Sequence, residues 1–254
     1  MSFKIKKNKQ THLHFHRYEF KYILPLHLRQ ALEGELLHFM TLDPYVKGPE
    51  GGYFVRSLYY DNDIYNEYYD KTEGLHTRAK FRIRTYTRDP QENCVVFLEN
   101  KGRRDGMVFK DRMQAPMSIS PDFPHYEDLT PYFMKESNAS PVLEKFQFQV
   151  YRKRIKPKVL IDYFRRPYVS QFDRDFRVTF DEKLMATASS SLFPKDQGSS
   201  RLLIDGHSVM EIKFRRHIPA WFHRIIQSYE LRRISISKVC KGMESFNMTP
   251  AYEG

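Results

Sequence analysis

Charged and apolar side chains alternate with a period of two along much of the chain. The pattern is clearest over RAKFRIRTY, where Arg78, Lys80, Arg82 and Arg84 alternate with Ala79, Phe81, Ile83 and Thr85. Successive side chains of an extended strand point to opposite faces, so this segment carries one cationic face and one mostly apolar face. Near the start, Arg17, Glu19 and Lys21 oppose Tyr18, Phe20 and Tyr22 in the same way. YFVRSLYY at 53–60 is β-branched and aromatic and runs into the turn residues DND. VVFLENKG sets Glu99 and Lys101 on one face, and VFKDRMQ does so for Lys110, Arg112 and Gln114. KVLIDYF and FRVTFD follow, the second with Arg177, Thr179 and Asp181 in phase; VMEIKFRR then aligns Glu211, Lys213 and Arg215 against Met210, Ile212 and Phe214. About eight strands joined mostly by short turns predict a mainly β (α+β) protein, an antiparallel meander or barrel.

Helical spacing appears twice. Leu28, Leu32, Leu36 and Phe39 follow Pro25, and a second helix is expected from Pro219 to Leu231, again with proline in the first turn. Two stretches read as loops: 115–141, rich in Pro, Ser and acidic residues with room for a short helix, and TASSSLFPKDQGSS at 187–200, expected to be mobile. Residues 1–16 read as a basic tail and 17–254 as one domain, with no internal repeat.

The 254 residues are 41% hydrophobic and 15% aromatic, enough for a folded core. The longest apolar run, Cys94 to Leu98, is too short to span a membrane as a helix. The basic start MSFKIKKNKQ leads into no apolar stretch, unlike a secretory signal. Cys94 and Cys240 show neither CxxC spacing nor a disulfide framework, which predicts a reducing, cytoplasmic setting. Lys and Arg total 42 against 31 Asp and Glu, a formal charge of +11. Such a surplus suits either an anionic partner or a scattered solvated surface, and only placement separates the two.

Like charges about 7 Å apart on a strand repel by roughly 0.6 kcal/mol in water and ~2.4 kcal/mol at an effective dielectric near 20. A single strand tolerates this if its charged face is wet. Here several strands carry ionic faces, and RYEFK, FLENK and VMEIK each place a Glu two residues before a Lys. Guanidinium forks match phosphate oxygens, and carboxylates among cations suit a hard divalent ion held together with phosphate. A sheet closed with its ionic face inward would form a tunnel lined for polyphosphate; an open sheet with one wet face is the alternative. A nucleic-acid surface would gain nothing from Glu in three basic strands, so no nucleic-acid partner is expected. No Ser-His-Asp order, G-x-S-x-G or Walker loop is present.

The fragments RYEFKY, VRSLYYD, RAKFRIRTY, VFLENK, VFKDR, YFRRPY, FRVTFD, VMEIKF and ISISK occur in this order between about Arg17 and Met243. Together they resemble the catalytic domain of the vacuolar transporter chaperone (VTC) complex and its bacterial counterparts, which belong to the triphosphate tunnel metalloenzymes. The resemblance implies a closed antiparallel eight-stranded tunnel barrel with a few flanking helices. It also implies a polyphosphate polymerase, which transfers the terminal phosphoryl group of ATP to a growing polyphosphate chain with Mn2+ or Mg2+. A triphosphatase acting on inorganic or nucleoside triphosphate and a non-catalytic polyphosphate-binding module are the alternatives on the same fold. Carried over, Lys21, Arg82, Arg84, Lys101, Arg165, Arg177 and Lys238 form the catalytic set, and Lys80, Lys110, Arg112 and Lys213 bind phosphate. Glu211 is the implied metal ligand, completed by Glu19 and Glu99, with Arg78 at the tunnel mouth. Export of product, where it occurs, falls to a membrane protein supplied by another chain; the expected setting is the cytoplasm, at the inner face of a membrane only through such a partner. Arg166 and Pro167 in YFRRPY, and Val239 after the ISISK lysine, depart from the family pattern.

Three features invite other readings. His12, His14 and His16 have chelating spacing but are read as a strand edge. Trp221, Phe222 and Tyr229 are read as core contacts rather than a stacking platform, and Lys4 to Lys9 as solvated.

Overall fold

The structure, a computed structural model, describes residues 17–89, 94–115, 128–137, 140–195 and 199–249. The basic tail with its three histidines, and most of the first expected loop, lie outside the described residues. In chain order the elements are β1 (Tyr18–Pro25), α1 (Leu26–Leu36), β2 (Met40–Leu42), β3 (Tyr53–Asp61), α2 (Asn66–Thr72), β4 (Thr77–Thr85), β5 (Phe97–Arg104) and β6 (Met107–Gln114). Then follow α3 (Thr130–Lys135), α4 (Pro141–Lys153), β7 (Lys156–Ser170), β8 (Arg177–Ala188), β9 (Ser200–Leu202), β10 (His207–Phe214), α5 (Ala220–Ser228) and α6 (Lys238–Ser245).

All ten strands join one antiparallel sheet in the order β1-β10-β8-β7-β3-β4-β5-β6, with β2 added to β7 and β9 to β8. This corrects the expected strand number: eight strands make the continuous path, and the two additions are only three residues long, too short to show a period. The expected closed barrel is corrected too. Among the described residues, edge strands β1 and β6 share no continuous ladder; they meet at a bridge in which Arg17 and Val108 exchange N–H···O bonds of 3.4 and 2.9 Å.

Alternation sorts the side chains. Outward-facing Phe81 and Ile83 of β4 join Leu58, Leu98 and the Phe133 and Phe146 of α3 and α4 in one core. Val178, Phe180, Met210 and Ile212 of β8 and β10 pack with Leu32 and Leu36 of α1 and Phe222 of α5 in a second. Each such fully buried side chain contributes about 1.5–3 kcal/mol. Trp221 stacks on Phe39 at 4.4 Å, consistent with a packing role. The third core lies on the other face. Val55, Val159 and Ile161 hold α6 there through Val239, Cys240 and Met243.

A bulge makes that possible. Between Asp162 and Phe164 of β7 the register with β8 shifts, and Lys183 takes a φ of 50°. The extra residue changes phase, so Leu184 and Ala186 follow Asp181 onto the inner face. Gly242 of α6 lets the helix close on it: a Cβ there would stand 2.6 Å from Ile161 Cδ1 and 3.3 Å from Ala186 and Val159.

The 187–200 stretch is not a plain loop. β8 continues to Ala188, Thr187 Oγ1 lies 2.8 Å from Ser200 Oγ across the β8–β9 pair, and Leu192 is fully buried. Its small serines serve as turn acceptors: Ser189 Oγ receives the Ser191 N–H, and Ser191 Oγ the Phe193 N–H. No helix among the described residues is long and apolar enough to cross a membrane.

Candidate functional site

The inner face surrounds a cavity of about 410 Å3 lined by fourteen lysines and arginines but only two carboxylates, Glu19 and Glu211. Three groups of ion pairs order these cations.

The first joins β1, β7, β8, β10 and α6. Lys238 Nζ lies 2.6 Å from Asp181 Oδ2 and 2.8 Å from Glu211 Oε1. Arg165 grips Asp181 with two bonds of 2.6 and 2.7 Å and stands 3.7 Å from Glu211. Lys213 Nζ is 3.1 Å from Glu211 and donates to Thr179 Oγ1 at 2.9 Å. Lys21 Nζ is 3.7 Å from Glu211 and donates to the Ile236 carbonyl at 3.0 Å. Burial opposes ionisation of Glu211, yet Lys238, Lys213, Lys21 and Arg165 hold it well below the usual carboxylate range. Asp181 is lowered against burial by Arg165 and Lys238. Burial brings Lys213 down to about 7 and Lys21 to about 8, with Glu211 opposing both shifts. Lys238 goes the other way; Asp181 and Glu211 outweigh its burial.

The second group is centred on Glu99 of β5, which is fully buried and lies outside the cavity lining. Its Oε2 accepts Arg82 Nε at 2.7 Å and stands 2.6 Å from Arg82 Nη2, while Oε1 accepts Lys110 Nζ at 2.9 Å. Arg84 and Arg112 are 3.8 and 3.9 Å away. Arg82 also donates to the Tyr59 hydroxyl at 2.8 Å, and Arg84 to Ser57 Oγ at 2.9 Å and Tyr163 OH at 3.2 Å. Burial pushes the Tyr59 phenol up, but Arg82 and Arg84 bring it down to about 8.

The third pairs Glu19 with Lys101 at 2.8 Å and Arg17 at 3.1 Å. Burial opposes the ionisation of Glu19, and Lys101 overrides it. Elsewhere on the lining, Lys71, Arg78 and Lys80 donate to Ser235 Oγ, the Leu75 carbonyl and Cys240 Sγ.

Of the expected site residues, Lys21, Lys80, Arg82, Arg84, Lys101, Lys110, Arg165, Lys213, Lys238, Glu19 and Glu211 line this one cavity. Three do not. Arg177, first residue of β8, leaves its side chain 49% exposed with Asp43 its nearest carboxylate at 3.8 Å. Arg112 stacks on the Phe97 ring, 3.3 Å from its centroid. Glu99 sits behind its cations. Asp181, Tyr59 and Tyr163 were not anticipated. Asp181 was legible only as a residue in phase with Thr179, and the two tyrosines looked like ordinary strand aromatics.

Among the described residues no group of three or more His, Cys, Asp or Glu is placed to hold a metal alone. Glu19 and Glu211 are diagonal neighbours on β1 and β10, facing the same cavity. That donor set fits a hard cation of the Mg2+ type, which binds through one or two carboxylates and takes its other oxygens from phosphate and water.

An antiparallel sheet wrapped around a cation-lined cavity defines a tunnel-like fold. A family model described as the VTC domain matches residues 16–247, and the chain belongs to that family. Comparison with curated proteins gives no match. Among solved structures, the chain is similar to a candidate adenylate cyclase from Bacillus halodurans at 11% identity and a TM-score of 0.52, covering 87% of this chain and 93% of that one. That likeness shows the fold alone. Two structures of the Mimivirus capping enzyme triphosphatase are more distant, with TM-scores of 0.36 and 0.33 and identities of 6% and 8%, covering 85% of this chain and 89% and 88% of theirs.

Proposed function

We propose that the protein is a polyphosphate polymerase that extends a polyphosphate chain with the terminal phosphoryl group of ATP. The reading rests on one observation, fourteen cationic side chains around a cavity of about 410 Å3 with two carboxylates. An excess of that size in a confined space calls for a polyanion, and membership of the VTC domain family supports polyphosphate as that polyanion.

In the transfer, a terminal phosphate oxygen of the acceptor chain attacks the γ-phosphorus of ATP. The bond between that phosphorus and the β–γ bridging oxygen breaks, its electron pair leaves with ADP, and the chain gains one phosphate. No protein nucleophile is required; positioning and charge stabilisation supply the catalysis. Arg82, Arg84, Lys101 and Lys110 on one wall, and Lys21, Arg165, Lys213 and Lys238 on the other, bind and align the two phosphate chains. A divalent ion, manganese or magnesium, would be held by Glu211 and Glu19 and would further neutralise phosphate oxygens. Asp181 keeps Arg165 and Lys238 charged and directed inward.

The test is incubation of the purified protein with ATP and Mn2+, followed by a polyphosphate gel and assays for ADP and free phosphate. A ladder of chains with ADP release is the expected result. Free phosphate without a ladder would make the protein a triphosphatase, and bound polyphosphate without turnover would make it a binding module.

A further inference from the structure

Glu99 stands opposite Arg82 of β4 and Arg112 of β6 in the strand register, so one carboxylate is the hub of three strands. Both of its oxygens are taken at hydrogen-bonding distance by Arg82 and Lys110. The oxygens of Glu19 and Glu211 are paired with cations as well. What sets Glu99 apart is that it has no exposed surface and lies outside the cavity lining, so a metal there would have to displace a cation without access from the cavity. With Nε and Nη2 on Glu99 and Nη1 on Tyr59, Arg82 is fixed at three points. A guanidinium has five N–H groups, so two remain for a ligand; Lys110 likewise keeps two of three. Four cations around one carboxylate also leave the group strongly positive.

We infer that Glu99 is the positioning residue of the phosphate clamp: it binds no metal, and it presets Arg82 and Lys110 toward a triphosphate or polyphosphate. The inference rests on the phosphate reading of the cavity and assigns Glu99 a task different from that of Glu19 and Glu211, which reach the cavity themselves.

Removing the carboxylate does not simply leave the clamp one charge richer. Burial and the two arginines bring Lys110 to about 7, with Glu99 holding it up. The groups facing Lys110 are Glu99 and Lys101 on β5, Arg82 and Arg84 on β4 and Arg112 on its own strand, with Arg17 across the seam beside Val108. Glu99 is the carboxylate that Lys110 contacts directly. Without it Lys110 loses the carboxylate that supports its charge, and Arg82 is free to turn. Loss of orientation therefore outweighs the gain in positive charge.

The experiment measures tripolyphosphate binding in EDTA by calorimetry and Mn2+ binding by electron paramagnetic resonance, with melting curves, for the wild type and Glu99→Gln. Expected are metal-free tripolyphosphate binding weakened about tenfold or more, the scale of a charge-assisted hydrogen bond, and unchanged Mn2+ affinity. A lower melting temperature with unchanged or tighter tripolyphosphate binding would make Glu99 merely structural. A loss of Mn2+ affinity with metal-free binding intact would make it a metal ligand. Either result overturns the inference. If Glu99→Gln does not fold, Glu99→Gln/Lys110→Met, which removes one charge of each sign, is compared with Lys110→Met. Weaker binding by the double variant supports the inference and equal binding overturns it. Failure of the wild type to bind tripolyphosphate would instead sink the phosphate reading of the whole cavity.

Discussion

At the scale of single residues, position along a strand decides what a shared face means. Arg177 is in phase with Thr179 and Asp181, yet it opens β8 and its side chain is 49% exposed. Lys101 lines the cavity and is held by Glu19 at 2.8 Å. Arg177→Ala should therefore keep tripolyphosphate affinity within about twofold, while Lys101→Ala should weaken it about tenfold or more. Calorimetric titration of both variants checks this, and equal losses would return Arg177 to the cavity wall. The period of two told which residues share a face but not how deep each one sits. It also gave no reason to single out Asp181, because the partners that define its role, Arg165 and Lys238, come from another strand and from α6. Glu99 carried the same Glu-x-Lys signature as Glu19 and Glu211, and only the neighbouring strands separate it from them.

At the scale of elements, α6 controls the site without belonging to the sheet. Ser237 caps it by accepting the Cys240 N–H, and the first helical residue is Lys238, so docking of the helix fixes the lysine between Asp181 and Glu211. The docking depends on Gly242, whose missing side chain leaves room for Ile161, Ala186 and Val159. Gly242→Val forces methyl groups into that contact. It should cost about 1–3 kcal/mol of stability, the usual range for overpacking. Turnover should fall further than stability alone explains, because Lys238 is carried away from its carboxylates. Denaturant melts beside the polyphosphate gel test this; a stable variant with wild-type turnover would show that the helix does not set the lysine. The strands and helices α1 and α5 were legible because each keeps its period over several turns or pleats. α6 was hidden because its apolar residues face the inner, ionic side of the sheet, and the phase change at Lys183 that makes the inner face apolar there leaves no mark in the alternation. α4 is absent from the sequence reading altogether: its first residue, Pro141, reads as the end of a loop, and no helical period is drawn over 141–153.

At the scale of the whole molecule, the cavity stores positive charge at a cost that the proposed phosphate ligand would relieve. Lys110 and Lys213 are depressed to about 7 and Lys21 to about 8, from an ordinary 10.5. Below about pH 7 these lysines are charged in both folded and unfolded chains, and the cost of burying their charge is fully present. From there up to the ordinary lysine range, the unfolded chain binds more protons, so stability rises with pH. Glu19, Asp181 and Glu211 are held below the ordinary range, so the stability they contribute is present at neutral pH and is lost as pH falls through their lowered values. Phosphate binding has the opposite alkaline trend, since it requires the charged ammonium groups and raises their proton affinity. Binding of tripolyphosphate near pH 8 should therefore draw protons onto the protein. Titrations in two buffers of different ionisation enthalpy read that uptake once the ligand's own protonation is subtracted. Melts over the same range should show the free protein becoming more stable as affinity falls. Binding with no proton uptake, or stability that declines between about pH 7 and 9, would mean that the lysines are already fully charged before the ligand arrives. The cavity would then be an ordinary solvated basic surface rather than a preset clamp held at the edge of ionisation.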